Sequence, residues 1–388
     1  MKLFKTFAAA AALSLSAALP ALAEDGVTDT EVKIGAVHDL SGIFAPFSVP
    51  AVKAAQLYFD EVNAKGGVHG RKITYIVEDH GYQVPKAVQA GNKLINRDNV
   101  FAMLMNLGTP MNIALFKMME PKGIPNVAPL SSARQILEPP APWKFMTGSS
   151  YYDGVKLASE YLAKEKGKKT FCLMYLPTDF GKEIEMGVKD GAAAAGAAFG
   201  IEIQHKPDET DFSGALGKIK EAGCEVVATA LGISQTINVI ATANKLGVNV
   251  EFLQSSAGFH TVVAKGLAAQ GVMGGVYAAS GWLDLEARVG IPEVGGWVKS
   301  YTEATGEKFP GTGALLGRSA AEQMVRALEA AGPDLTREGF IKAMESLTYE
   351  DVIMGANVAF SADKHVGATE IFISAVENGS WKLVETIK

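Results

Sequence analysis

Short, uniformly apolar runs alternate along the chain with segments whose apolar positions recur every three or four residues. The first run, VKIGAV (32–37), leads into a segment with Val52, Ala55, Phe59 and Val62 on one side. Spacings of three, four and three mark one face of a helix. Ser48 is expected to cap that helix, Pro50 suits its first turn, and Gly66-Gly67 ends it. KITYIVED (72–79), a helix over 84–96, VFAMLM (100–105), a helix over 110–122 and IPNVAP (124–129) continue the rhythm. Strands this apolar are covered on both faces, which predicts a parallel sheet.

After PPAPWKFMTG the rhythm restarts with TFCLMYL (170–176), GIEIQH (200–205), EVVATAL (225–231) and VEFLQS (250–255), each followed by a helix-like segment. A helical stretch runs from about 291 to 347. The tail changes period: NVAFS, TEIFISAVENG and SWKLVETI alternate apolar and polar positions, with Asn378-Gly379 as a hairpin turn. The pattern predicts an α/β protein of two similar lobes, each a parallel sheet flanked by helices, with the tail strands completing one lobe.

The first residues break this pattern. Lys2 and Lys5 precede an apolar run that ends in Ala21-Leu22-Ala23, the pattern of a secretory signal peptide cleaved after Ala23, although a membrane anchor is the alternative. Cleavage leaves 388 − 23 = 365 residues, enough for two cores. The formal charge of −6 becomes −8 without Lys2 and Lys5, which argues against nucleic acid or anionic membranes as partners. Cys172 and Cys224 both border apolar strand-like runs, which favours buried free thiols, while export would permit a disulfide.

Ligands collect beyond the carboxyl ends of parallel strands, where helix N-termini present free N–H groups. The loops there are DLSGIFAPFS, NLGTPMN, APLSSAR, YLPTDFGK, LGISQT and SSAGFH, rich in Gly, Ser, Thr and aromatics and poor in charge. Two such sets facing each other would enclose an apolar cleft dotted with hydrogen-bond donors. No phosphate loop, nucleophile elbow or H-E-x-x-H motif occurs, and the six histidines (38, 69, 80, 205, 260, 365) include no i,i+4 pair. No catalytic residue, metal site or cofactor is therefore expected. EDH (78–80) follows a strand and could hold a base, but reads rather as a solvated strand end.

The chain resembles the solute-binding proteins of ABC importers in the branched-chain amino-acid (Leu/Ile/Val) family. The carriers are LSGIFAPFS, YFDEVNAKGGVHGRKI, EDHGYQVPKAVQAGNKLI, GTPMN, IPNVAPLSSA, DFG and the closing FSADKHVG and AVENGSW, in that order across the mature chain. The resemblance implies a type I periplasmic binding fold whose lobes close by hinge motion. Crossovers are expected near 147, 277 and 350, giving a first lobe of 24–147 plus 277–350 and a second of 148–276 plus 351–388. It further implies a periplasmic monomer that delivers a small ligand to membrane permease subunits, or alternatively a sensory module.

Carried over residue by residue, the family's site falls on Phe47, on Gly108 and Thr109, on Leu130, Ser131 and Ser132, on Tyr151 or Tyr152, and on Phe180. The acidic residue that holds an amino acid's ammonium in the family falls on Ala257, and a second polar position falls on Ser150; Asp179 or Asp284 would be substitute acids. Phe44 and Trp282 are balanced between packing and ligand contact, and Arg134 either pairs a carboxylate or is solvated. An unpaired ammonium in a closed cleft costs several kcal/mol. The expected cargo is thus a carboxylate with an aromatic or branched aliphatic body and no amine, with leucine, isoleucine or valine as the alternative.

Overall fold

The computed structural model describes residues 24–387. The expected signal peptide and its cleavage point lie outside the described residues. The first sheet is built from β1 (Glu31–His38), β2 (Lys72–Asp79), β3 (Ala102–Leu104), β4 (Asn126–Val127) and β5 (Lys144–Phe145). They are parallel and lie in the order β2-β1-β3-β4-β5. The intervening helices α1 (Ala45–Ala64), α2 (Val84–Asn96) and α3 (Thr109–Met119) cover it. The chain then passes to the second lobe through α4 (Tyr151–Glu165).

There, β6 (Thr170–Tyr175), β7 (Ala198–Gln204), β8 (Val226–Ala230), β9 (Glu251–Gln254) and β10 (Val276–Ser280) alternate with α5 (Asp179–Ala194), α6 (Ser213–Glu221), α7 (Ile233–Leu246) and α8 (Thr261–Ala269). The chain returns to the first lobe for α9 (Pro292–Thr305), α10 (Thr312–Ala331) and α11 (Arg337–Ser346) and for the hairpin β11 (Thr348–Asp351) and β12 (Ala356–Ala359). It ends in β13 (Ile371–Glu377) and β14 (Ser380–Ile387), antiparallel additions to a seven-stranded sheet ordered β14-β13-β10-β9-β8-β6-β7. Asn378 and Gly379 both take positive φ, as a two-residue hairpin turn requires.

The strands place one of the three passes well beyond its expected position. β10 pairs wholly within the second sheet, so the return follows Ser280, within a few residues of the expected 277. The last pass runs from the Met146–Val366 bridge to Ile371 rather than at 350. The expected free thiols are a disulfide: Cys172 on β6 and Cys224 just before β8 have Cα atoms 5.9 Å apart. The chain enters β8 beside its parallel neighbour β6, which brings Cys224 within bonding reach of Cys172.

α10 lies directly on α1. A Cβ at Gly313 would stand 2.2 Å from the Phe47 carbonyl oxygen, and one at Gly317 2.0 Å from that of Ala51. The two glycines let the helix backbones touch. The second lobe's core runs without a break into the seam, where Phe44, Phe47, Leu107 and Leu315 of the first lobe join it.

Candidate ligand-binding site

The loops at the strand carboxyl ends meet around one cavity of about 70 Å3. At about 10–15 Å3 per water on the same measure, that holds roughly five waters or one small organic molecule. Phe44, Phe47, Tyr82, Gly108, Thr109 and Leu130–Ser132 come from the first lobe, with Leu316, Ser319 and Ala320 of α10. Tyr151, Phe180, Ser256 and Ala257 come from the second, Met354 from the turn of the β11–β12 hairpin, and Met146–Gly148 and Trp282 from the segments between the lobes. No Asp, Glu, Lys, Arg or His is among these residues.

The first loop is shaped by two carboxylates. Asp39 accepts from the Gly42 and Phe44 amides at 2.6 and 2.8 Å. Asp79 accepts from the Leu40 amide at 2.9 Å, from the Ser41 hydroxyl at 2.6 Å and from the Gly81 amide at 2.9 Å. Burial pushes the Asp79 carboxyl up, but these hydrogen bonds outweigh it and leave its pKa below the usual range. α1 therefore starts at Ala45, a turn earlier than expected, with no side-chain cap. Ser48, the expected cap, lies inside the helix with its hydroxyl 3.4 Å from His38 Nδ1. Phe47 sits in the first turn, 8% exposed, with its ring 5.6 Å from that of His260 on the other lobe.

EDH (78–80) is a support rather than a solvated end. His80 accepts from the Tyr82 amide at Nδ1, 3.0 Å, which leaves the proton on Nε2 to donate to the Leu107 carbonyl at 3.2 Å. Burial lowers the His80 pKa, and the neutral ring is the form this arrangement needs. Tyr82 was not foreseen. Its signal was its place in the loop after β2, equivalent to that of Phe44 in the loop after β1. The Tyr82 ring packs 4.6 Å from Phe44, and Phe180 meets Phe44 and Tyr151 edge-on at 6.1 and 5.3 Å. Gly108 makes room: its φ is +98°, and a Cβ there would lie 3.2 Å from Tyr82.

Thr109 opens α3 and shares a 2.8 Å hydrogen bond with Ser131, both fully buried. The Tyr151 amide donates to the Ser132 carbonyl at 2.7 Å, fastening α4 to that loop. Burial pushes the Tyr151 hydroxyl up to about 12, so it stays a neutral donor. The starts of α1, α3, α4 and α5 all contribute lining residues. The dipoles of these helix N-termini favour negative charge.

Of the expected site residues, all but Tyr152 line this cavity. Tyr152 lies outside it, stacked 3.5 Å beneath the Arg134 guanidinium and donating to Asp190 at 2.7 Å. Arg134 is turned from the cavity. Its Nε and backbone amide donate to Glu183 Oε1 across the seam at 2.8 and 3.0 Å. Glu183 is thereby neutralised where it approaches Tyr151. Ser150 caps α4 by accepting from the Asp153 amide at 2.9 Å. Neither substitute acid lines the cavity. Asp179 is exposed at the start of α5, and Asp284 is buried elsewhere, its carboxyl raised to about 6 by burial.

The sequence profile of the periplasmic binding protein family matches residues 31–380, and the chain belongs to that family. An amino acid binding protein of Pseudomonas aeruginosa is 25% identical over 51% of this chain and 53% of its own length. The chain thus spans about half the length of the first curated relatives it matches. Leu/Ile/Val-binding protein homolog 8 of Brucella suis is 23% identical over 88% of this chain and 84% of that one. Among solved structures, a fatty acid ABC transporter substrate-binding protein from Thermomonospora curvata superposes with a TM-score of 0.83 at 27% identity, covering 94% of this chain and 93% of the other. The fold is that of the type I periplasmic binding proteins.

Proposed function

We propose that this protein is an extracytoplasmic receptor for an ABC importer that closes over a small carboxylate with an apolar, amine-free body and hands it to membrane permease subunits. The reading rests on one observation: a cavity shared by both lobes whose lining holds rings, hydroxyls and backbone amides but no carboxylate. An α-ammonium enclosed there would be unpaired, at a cost of several kcal/mol.

A carboxylate suits the same walls. Charge-assisted hydrogen bonds from neutral donors near Thr109 and Ser131 contribute on the order of 1.5–3 kcal/mol each. Burying about 150 Å2 of apolar body against Phe47, Tyr151 and Phe180 adds roughly 4 kcal/mol at about 25 cal/mol per Å2. Micromolar affinity needs about 8 kcal/mol. The gross terms reach that range without a buried arginine. The name of the Thermomonospora neighbour, a fatty-acid receptor, supports an amine-free cargo. The names of the amino-acid-binding relatives support the second reading, leucine, isoleucine or valine, in which the amine would need a partner the lining lacks. The disulfide and the N-terminal signal pattern support a periplasmic location.

Calorimetry separates the two. Benzoate, hexanoate or 4-methylpentanoate should bind with micromolar affinity, and leucine at least a hundredfold more weakly. Tight leucine binding with none of the acids would sink the cargo assignment.

A further inference from the structure

The hinge-side wall of the cavity carries polar atoms that nothing in the protein satisfies. Trp282 lines it, 6% exposed, and its Nε1–H has no acceptor among the described residues. Ser319 lines it from α10, 2% exposed. The Ser319 hydroxyl is a neighbour of the Asp351 carboxyl, yet Ser319 Oγ and Asp351 Oδ2 both lack a hydrogen bond of normal geometry. Thr147, also on the wall, donates to Gln323 Oε1 at 3.0 Å, while Gln323 Nε2 behind it is unpaired.

Buried polar groups are nearly always hydrogen-bonded, and each orphan costs about 1–3 kcal/mol. Several gathered behind one wall of a ligand cavity point to a partner that the ligand brings. On the opposite side of the lining, Thr109 and Ser131 bond each other. The wall offers an N–H that needs an acceptor. It also offers a serine oxygen beside a carboxylate, which takes a proton when the serine's own proton turns to Asp351. One small group does both: a hydroxyl accepts at its oxygen and donates through its hydrogen.

We propose that Trp282 and Ser319 form a second polar subsite and that the cargo is a hydroxylated carboxylic acid, held at its carboxylate by the Thr109 and Ser131 loops and at its hydroxyl by this wall. The inference rests on the acid-receptor reading above and narrows its substrate class. A site built to bond a hydroxyl discriminates strongly against the analogue without it, because its own polar groups are then stranded.

The test is calorimetry with matched pairs: benzoate against 3- and 4-hydroxybenzoate, and hexanoate against 6-hydroxyhexanoate. On the wild-type protein the hydroxylated member of at least one pair should bind at least tenfold more tightly than its parent. In Ser319→Ala and in Trp282→Phe that ratio should fall toward one. Melting curves confirm folding, and Ser319→Ala, which removes a single atom, keeps the test readable if Trp282→Phe is unstable. Equal or weaker binding of every hydroxylated acid overturns the inference while leaving the acid receptor intact. So does a preference that survives both substitutions. Failure of all the acids, parents included, removes the acid-receptor reading and this one with it.

Discussion

Phe47 reaches the cavity because Asp39 holds the amides of Gly42 and Phe44 and turns the chain into α1 a full turn before Ser48. Its ring packs across the seam against that of His260. Phe47→Ala should therefore weaken binding of the preferred acid at least tenfold, about 1.4 kcal/mol, and lower the ligand-free melting temperature by only a few degrees. A drop matching the roughly 3–5 kcal/mol of a core phenylalanine truncation would instead place the ring in the fold's interior. Phe47, Thr109, Ser131 and Phe180 were legible as cavity-lining residues because they stand at or beside the strand-to-helix junctions that a parallel sheet must gather at one edge. Tyr152 was not separable from Tyr151. Adjacent residues opening a helix point about 100° apart, and which one faces the cavity depends on the helix's rotation.

Elements supply what no loop motif announces. The stretch 291–347 reads as helical, but only packing reveals that Gly313 and Gly317 seat α10 against α1 and so bring Leu316 and Ser319 to the cavity. The hinge-side wall draws on positions near 147, 282, 319 and 354, and no local pattern links them. The disulfide belongs to the same scale. Two cysteines 52 residues apart carry no pairing signal, but parallel neighbours β6 and β8 bring them together. Closing a loop of that length removes chain entropy from the unfolded state worth about 4 kcal/mol. The Cys172→Ser, Cys224→Ser double variant should lose stability on that order in urea melts and, being remote from the lining, keep its ligand preference. An unchanged midpoint would mean that the bond does not form in the native protein.

At the scale of the whole molecule, the seam between the lobes contains a titratable group. His260 caps α8 in the second lobe, accepting from the Val262 amide at 3.1 Å. Its ring lies against Phe47 and Gly311 of the first lobe, and the Thr261 amide beside it donates to the Thr312 hydroxyl at 3.3 Å. Burial in this seam lowers its pKa from 6.5 to about 4. If opening the lobes returns the ring to water, the open form binds the extra proton. Closure is then fully favourable above pH 6.5 and progressively penalised as pH falls toward 4, the sign expected for a depressed histidine. The penalty on affinity between pH 7.5 and 5 is up to about 30-fold, while a cargo carboxylate with a pKa of about 4 stays mostly ionised. His38 and His80, also depressed by burial, lie within the first lobe and titrate alike in wild type and variant. His260→Gln should accordingly bind with a much flatter pH profile than wild type, read by calorimetry at pH 7.5, 6.5, 5.5 and 5. Parallel profiles would show that His260 stays buried when the lobes part, and that closure is not linked to protons through this seam.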